Sequence, residues 1–280
     1  MTPGNVFVFT PFYCSPHIVS EQRRRLLADL EGFLQRVEKG VVRRDFNELL
    51  LVDDGNDREV QDFLLRMQEG YSWLLIKRNE NNIGLDKTLF ETYRSFVDNS
   101  GNEGDIVIRL DSDGEHDPLK IGEMIEKIRR TGDKSEGVLC QIEYAKEHLQ
   151  PFDVMFNRFQ GAVQGEIILG AGKKLLHNSP GFCGYRVSVL RMILPLIEGY
   201  LKLYCERYKE ECRWGADMIV LFYAVQLGFR IDTSIRQESL VLPANRTLQK
   251  MLEQLRTNTQ HLQLMMELKK EKHEKQKRIS

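Results

Sequence analysis

The stretch Asp105–Pro118, DIVIRLDSDGEHDP, decides how the rest of the chain is read. Between Gly104 and Gly114 lies a short run rich in Val and Ile, the pattern of a buried strand, and it ends by pushing out Asp111, Asp113 and Glu115. In extended backbone, residues two apart point the same way, so these carboxylates would share one face if strand geometry persisted through the turn. Unpaired, they repel one another, and a hard divalent cation is the natural remedy. A calcium loop or a plain acidic turn is the simpler alternative, although DSDGE lacks the later ligands of an EF-hand.

Outward from this stretch the same unit recurs. Residues 5–10 (NVFVFT), 48–53 (ELLLVD) and 72–77 (SWLLIK) read as further buried strands, with a fifth at 137–144. Helices alternate with them. Apolar residues at Leu26, Leu27, Leu30, Phe33, Leu34 and Val37 recur at helical spacing after Ser20, and further helices are predicted over 58–69, around Leu85–Phe96 and from Pro118. Alternating strands and helices predict an α/β fold with a mostly parallel, doubly wound sheet. Ligands in such sheets bind beyond the carboxyl ends of the strands, where the loops at 10–17, 53–57, 78–87 and 111–117 gather.

Beyond residue 144 the pattern loosens. Residues 151–170 read as a helix, 178–186 (NSPGFCGYR) as a turn-rich loop before another helix, and 202–213 as a charged segment. Trp214–Asp217 open an apolar helix to about Leu227, and a strand at 229–235 closes the domain. From Leu248 the spacing of Leu252, Leu255, Thr259, Leu262 and Met266 predicts one long helix ending in KKEKHEKQKR. The expected organisation is a domain over 1–243, with halves at 5–118 and 137–235, and a helical extension with a basic tail over 244–280.

A formal net charge of -1 with 29% charged residues gives no global attraction to nucleic acid. The five cysteines are scattered and never form a CxxC pair, against a disulfide framework or zinc site and for a reducing compartment. No apolar run is long enough to span a bilayer, so a cytoplasmic location is expected, with the basic tail offering peripheral membrane contact.

Three motifs in order resemble the family-2 nucleotide-sugar glycosyltransferases of GT-A fold, most closely the branch containing dolichyl-phosphate mannosyltransferase. They are LLLVDDGND at 49–57, LDSDGEHDP at 110–118 and SPGFCGYRVSVL at 179–190, with NENNIGLDK at 79–87 as a weaker match. The resemblance implies a metal-dependent transfer of a sugar from a UDP- or GDP-sugar to a glycan, small-molecule or lipid-linked acceptor, with inversion. It implies Mn2+ or Mg2+ held by Asp113 and Glu115. Asp111 would contact ribose or metal-bound water, Asp53 or else Asp54 the nucleotide base, Thr10 and Pro11 the same base, and Lys87 the diphosphate. Asp217 would be the catalytic base, and Gly181, Phe182, Arg186 and Trp214 would face the acceptor. Where lipid-phosphate enzymes of that branch carry an Arg after the fifth strand, this chain has Ile142, Glu143 and Tyr144. The alternative is a catalytically silent subunit of the same fold acting through nucleotide or partner binding, with self-association through 248–280.

Overall fold

A computed structural model describes residues 4–130, 135–143, 159–176, 181–212, 214–238 and 248–279. The chain opens with β1 (Val6–Phe12), α1 (Ser20–Val42), β2 (Leu49–Asp53), α2 (Arg58–Gly70), β3 (Leu74–Arg78), α3 (Leu85–Asn99) and β4 (Ile106–Arg109). A 3-10 turn at Pro118–Lys120 leads into α4 (Ile121–Arg129), followed by β5 (Gly137–Glu143). Residues 159–164 are helical and run into a π-helical turn, Gly165–Leu169. Then come β6 (Cys183–Arg186), α5 (Val187–Tyr208), α6 (Ala216–Gln226), β7 (Ile231–Glu238) and the long α7 (Leu248–Ile279).

The strands form one sheet in the order β3-β2-β1-β4-β6-β5-β7. Neighbours pair in parallel except at β6, which runs antiparallel to both β4 and β5. Both faces are covered, which is what the continuous apolar runs encode. Along β4, Ile106 and Ile108 pack toward α1, α2 and α4, while Val107 packs toward α3, α5 and α6. Each such side chain stabilises the fold by about 1.5–3 kcal/mol relative to exposure. Arg109 has the parity of Val107 and is therefore carried into the α6 side of the sheet.

Three expectations differ from the structure. The segment read as a loop contains β6, whose Cys183 and Arg186 pair with Arg109 and Ile106 of β4. Its glycine is there for closeness: a Cβ on Gly184 would press within 3.2 Å of Ile108 and Ile128. The charged segment at 202–213 is helical as far as Tyr208, because Tyr200 and Tyr204, one turn apart, keep a buried face beneath the charges. The seam predicted for α7 is also rotated. Thr257, Asn258, His261, Leu262, Leu264 and Met265 are buried, whereas Leu252 and Met266 are exposed. Of the helix expected over 151–170, residues 151–158 lie outside the described residues. No helix among the described residues is long and apolar enough to cross a membrane.

Candidate active site

The carboxyl ends of β1, β2 and β4 meet the amino ends of α3 and α6 around an open cleft of about 870 Å³. Pro11, Asp54, Lys87, Asp111 and Trp214 line it, with Leu201 and Cys205 of α5 closing the far side. The loops are held by buried hydrogen bonds. Asn56 ties the turn after β2 to the end of β1: its Oδ1 accepts from the Cys14 amide at 2.6 Å and its Nδ2 donates to the Phe12 carbonyl at 3.1 Å. Asp54 orders the next loop, accepting from the amides of Ile83 and Gly84 at 3.1 Å each and from the Thr88 hydroxyl at 2.8 Å. Gly55, at φ +74°, is required because a Cβ there would strike the backbone of Asn81 and Asn82.

Arg109 is the hub at the end of β4. Only 1% of it is exposed, yet its Nη2 donates to Asp111 Oδ1 at 2.6 Å, its Nη1 donates to the Gly181 carbonyl, and the same Nη1 lies 3.2 Å from Asp217 Oδ2. Burial opposes the guanidinium charge, but Asp111 and Asp217 outweigh it and hold the proton more firmly than usual. Asp217 sits in the first turn of α6 and is 7% exposed. Desolvation pushes its carboxyl up to about 7, against the pull of Arg109 and with help from the charges of Asp111 and Asp86. Its Oδ1 has no hydrogen-bond partner among the described residues.

The acidic turn does not continue the strand. β4 stops at Arg109, and Gly114 at φ +86° reverses the chain, so the two-residue alternation expected through Glu115 is broken. Among the described residues no group of three or more His, Cys, Asp or Glu side chains is arranged to hold a metal ion. The charges are nevertheless close. Asp113 is exposed, and its carboxyl is pushed up by desolvation and then by the charges of Glu115 and Asp111. Hard oxygen donors with excess negative charge suit Mg2+ or Mn2+, which need only one or two protein carboxylates when a diphosphate supplies further ligands. His116 buttresses the turn: its Nδ1 accepts from the Asp111 amide at 2.7 Å, and burial drives the ring down to about 4, so it is neutral near pH 7.

A family model for glycosyl transferase family 2 matches residues 27–194, more than half of the chain. The chain belongs to glycosyl transferase family 2. Solved structures with the same fold include glucosyl-3-phosphoglycerate synthase from Mycobacterium tuberculosis in complex with UDP, at 15% identity and TM-score 0.59, covering 94% of this chain and 80% of that one. The same enzyme with Mn2+ and UDP-glucose matches at 15% identity and TM-score 0.58, covering 92% and 79%. A mycobacterial protein matches at 13% identity and TM-score 0.60, covering 94% and 75%. No curated protein matches the chain in sequence. The fold of this glycosyltransferase is thus GT-A.

Within the glycosyltransferase the expected site residues divide. Pro11, Lys87, Asp111 and Trp214 line the cleft, and Trp214 does so from a left-handed backbone at φ +53°, a costly conformation for a bulky residue. Asp53 does not face it: it is buried, and its Oδ1 accepts from the Asn56 amide at 2.9 Å and side-chain amide at 2.7 Å. Asp54 occupies the cleft wall instead. Thr10 is also fully buried, with its hydroxyl 3.5 Å from the Pro11 carbonyl. Gly181 serves the frame, since a Cβ there would collide with Arg109 and crowd Asp111. Phe182 is buried against His116, with ring centroids 5.2 Å apart, and cannot touch an acceptor as it stands. Arg186 is at the opposite edge of the sheet: β6 runs antiparallel, so it lies beside Ile106 at the start of β4 and donates to the Ile128 carbonyl. Sequence reading passed over Arg109 and Asp86. A charge inside an apolar strand, two residues before Asp111, was the available signal for Arg109; Asp86 had none, because its partners are about 130 residues away.

Proposed function

We propose that this glycosyltransferase moves a sugar from a UDP- or GDP-sugar to an acceptor hydroxyl with inversion, assisted by Mn2+ or Mg2+. The observation that carries the reading is the buried Arg109, which ties Asp111 of the acidic motif to Asp217 beside the cleft. Asp113 and Glu115 would hold the cation, with Asp111 next to them. When bound, such a cation supplies positive charge against the developing charge of the diphosphate leaving group. Lys87, exposed on the cleft wall, adds a second cation for the same phosphates.

Asp217 takes the acceptor proton. A carboxyl held near 7 is poised for that task at neutral pH, and its unpartnered Oδ1 is free to accept. The acceptor oxygen then forms a bond to the anomeric carbon as the bond to the diphosphate breaks, and the nucleoside diphosphate leaves with the electron pair. The likeness to an enzyme solved with Mn2+ and UDP-glucose supports the donor class. The motif resemblance to the dolichyl-phosphate mannosyltransferase branch would add a lipid-phosphate acceptor. Glu143 at the end of β5, ion-paired with Arg236 at 3.1 Å, stands in the sequence where the resemblance expects a phosphate-holding Arg, and a carboxylate there supports an uncharged hydroxyl as the acceptor.

Calorimetric titration with UDP and GDP tests the reading. Binding of one nucleotide should require Mn2+ or Mg2+ and disappear in Asp113→Ala. No binding by the wild type, or unchanged binding in the variant, overturns it.

A further inference from the structure

His261 on the C-terminal helix contacts Cys212, which lines the cleft. His261 is fully buried on α7, stacked on Tyr204 at 4.6 Å between ring centroids and on Tyr200 at 5.8 Å. Its Nδ1 lies 2.9 Å from the Tyr200 hydroxyl and its Nε2 lies 3.5 Å from Cys212 Sγ. Cys212 in turn donates to Asp86 Oδ2 at 3.1 Å. Asp86, on α3, accepts from the Gly215 amide at 2.9 and 3.0 Å and from the Ala216 amide at 3.1 Å. Those amides are the orphan donors at the start of α6, and a carboxylate there also suits the positive end of the helix dipole.

Burial raises the Asp86 carboxyl above its ordinary value, against the Gly215 and Ala216 amides, the Cys212 thiol and Arg109, which favour its ionised form. In that ionised form the one Cys212 proton goes to Asp86 and Sγ accepts from His261 Nε2–H, while the Tyr200 hydroxyl faces both Nδ1 at 2.9 Å and the His261 carbonyl at 3.3 Å. Burial and the Asp86 charge keep the Cys212 thiol protonated, which fits a hydrogen-bond donor and not a nucleophile. The contact is also tight, because a Cβ on Gly215 would collide with the His261 ring. Trp214 directly precedes that glycine and Asp217 lies two residues beyond it.

We propose that His261 is a positioning residue: through Cys212 and Asp86 it clamps the amino end of α6 to α3, so that the C-terminal helix sets the placement of Trp214 and Asp217 against the donor side of the cleft. The buried face of α7 carries the polar His261, Thr257 and Asn258 beside the apolar Leu262, Leu264 and Met265. The catalytic consequence of the clamp rests on the proposed transfer reaction, whereas the clamp itself does not.

The test uses the full chain in a Trp73→Phe background, where Trp214 is the remaining tryptophan. Acrylamide quenching of Trp214 and transfer kinetics are measured for His261→Ala, His261→Gln, Cys212→Ala and, as a control on the exposed face of α7, Leu252→Ala. Gln can still present an N–H toward Cys212, and Cys212→Ala breaks the relay while leaving the α7 stacking in place. His261→Ala and Cys212→Ala should each raise quenching at least about twofold and lower turnover about tenfold with donor KM unchanged, the size expected for one buried hydrogen bond left unpaired. His261→Gln should recover most of both, and Leu252→Ala should match the wild type. Wild-type quenching and turnover in Cys212→Ala would overturn the clamp, as would equal losses in His261→Gln and His261→Ala. If no donor supports turnover at all, the transfer reading fails while the quenching still decides the clamp.

Discussion

The two halves of the sheet deliver residues to the cleft by different rules. In the first half, β1, β2 and β4 all run the same way, so whatever follows a strand lands on the same edge. Asp54 and Asp111 follow their strands onto that edge. In the second half β6 runs backward between β4 and β5, and four residues are enough to carry Arg186 from the cleft edge to the opposite one. Helix α6 is then placed by Asp86, which belongs to the first half. The donor side is thus positioned by strand direction, and the acceptor side by side-chain contacts that cross between halves.

Arg109 is where the halves join, and removing it is the severest test of that contrast. Arg109→Met would leave Asp111 and Asp217 without their buried cation and should destabilise the fold by about 3–5 kcal/mol in urea titration, with transfer activity lost. A small stability change with activity retained would mean that the halves are assembled without it.

The next effect concerns pH. Since Asp217 must lose its proton to act as base, kcat/KM should fall about tenfold per unit as pH drops below about 7, and Asp217→Asn should be inactive across the range. The sign for stability is the reverse. A carboxyl raised above its unfolded value holds a proton the unfolded chain has lost, so its protonated form stabilises the fold at acid pH. That contribution fades as pH rises through about 7. An acid limb that persists unchanged in an active Asp217→Asn would remove the base from this position.

Smallest of all should be Arg186→Ala. It costs the hydrogen bond to Ile128 on the far edge, about 1 kcal/mol, and should leave the acceptor KM unchanged in steady-state kinetics. A raised acceptor KM would show that strand direction does not govern the second half as argued.

Particular residues show where sequence reading stopped. β4 was legible because a buried central strand has to be apolar on both faces, and its burial leaves no other reading of IVIR. β6 was not, because a strand of four residues containing glycine owes its existence to β4 and β5 on either side. The turn after β4 hid its geometry as well: the alternation that aligned Asp111, Asp113 and Glu115 holds only while the backbone stays extended, and Gly114 ends that. Asp53 and Asp54 read as a pair with interchangeable chemistry. Only the turn between them and Asn56 separates the carboxylate that faces inward from the one that faces the cleft.

By itself the sequence determined the α/β class, the succession of strand and helix through Arg129, the acidic turn and the family. These follow from local periodicity and from motifs whose residues are near one another in the chain. The tertiary structure decided the reversal of β6, the burial of Arg109 between Asp111 and Asp217, the raised proton affinity of Asp217 and the docking of α7 through His261. Each of these depends on groups brought together from distant parts of the chain, where burial and neighbouring charge, which no local pattern encodes, set the outcome.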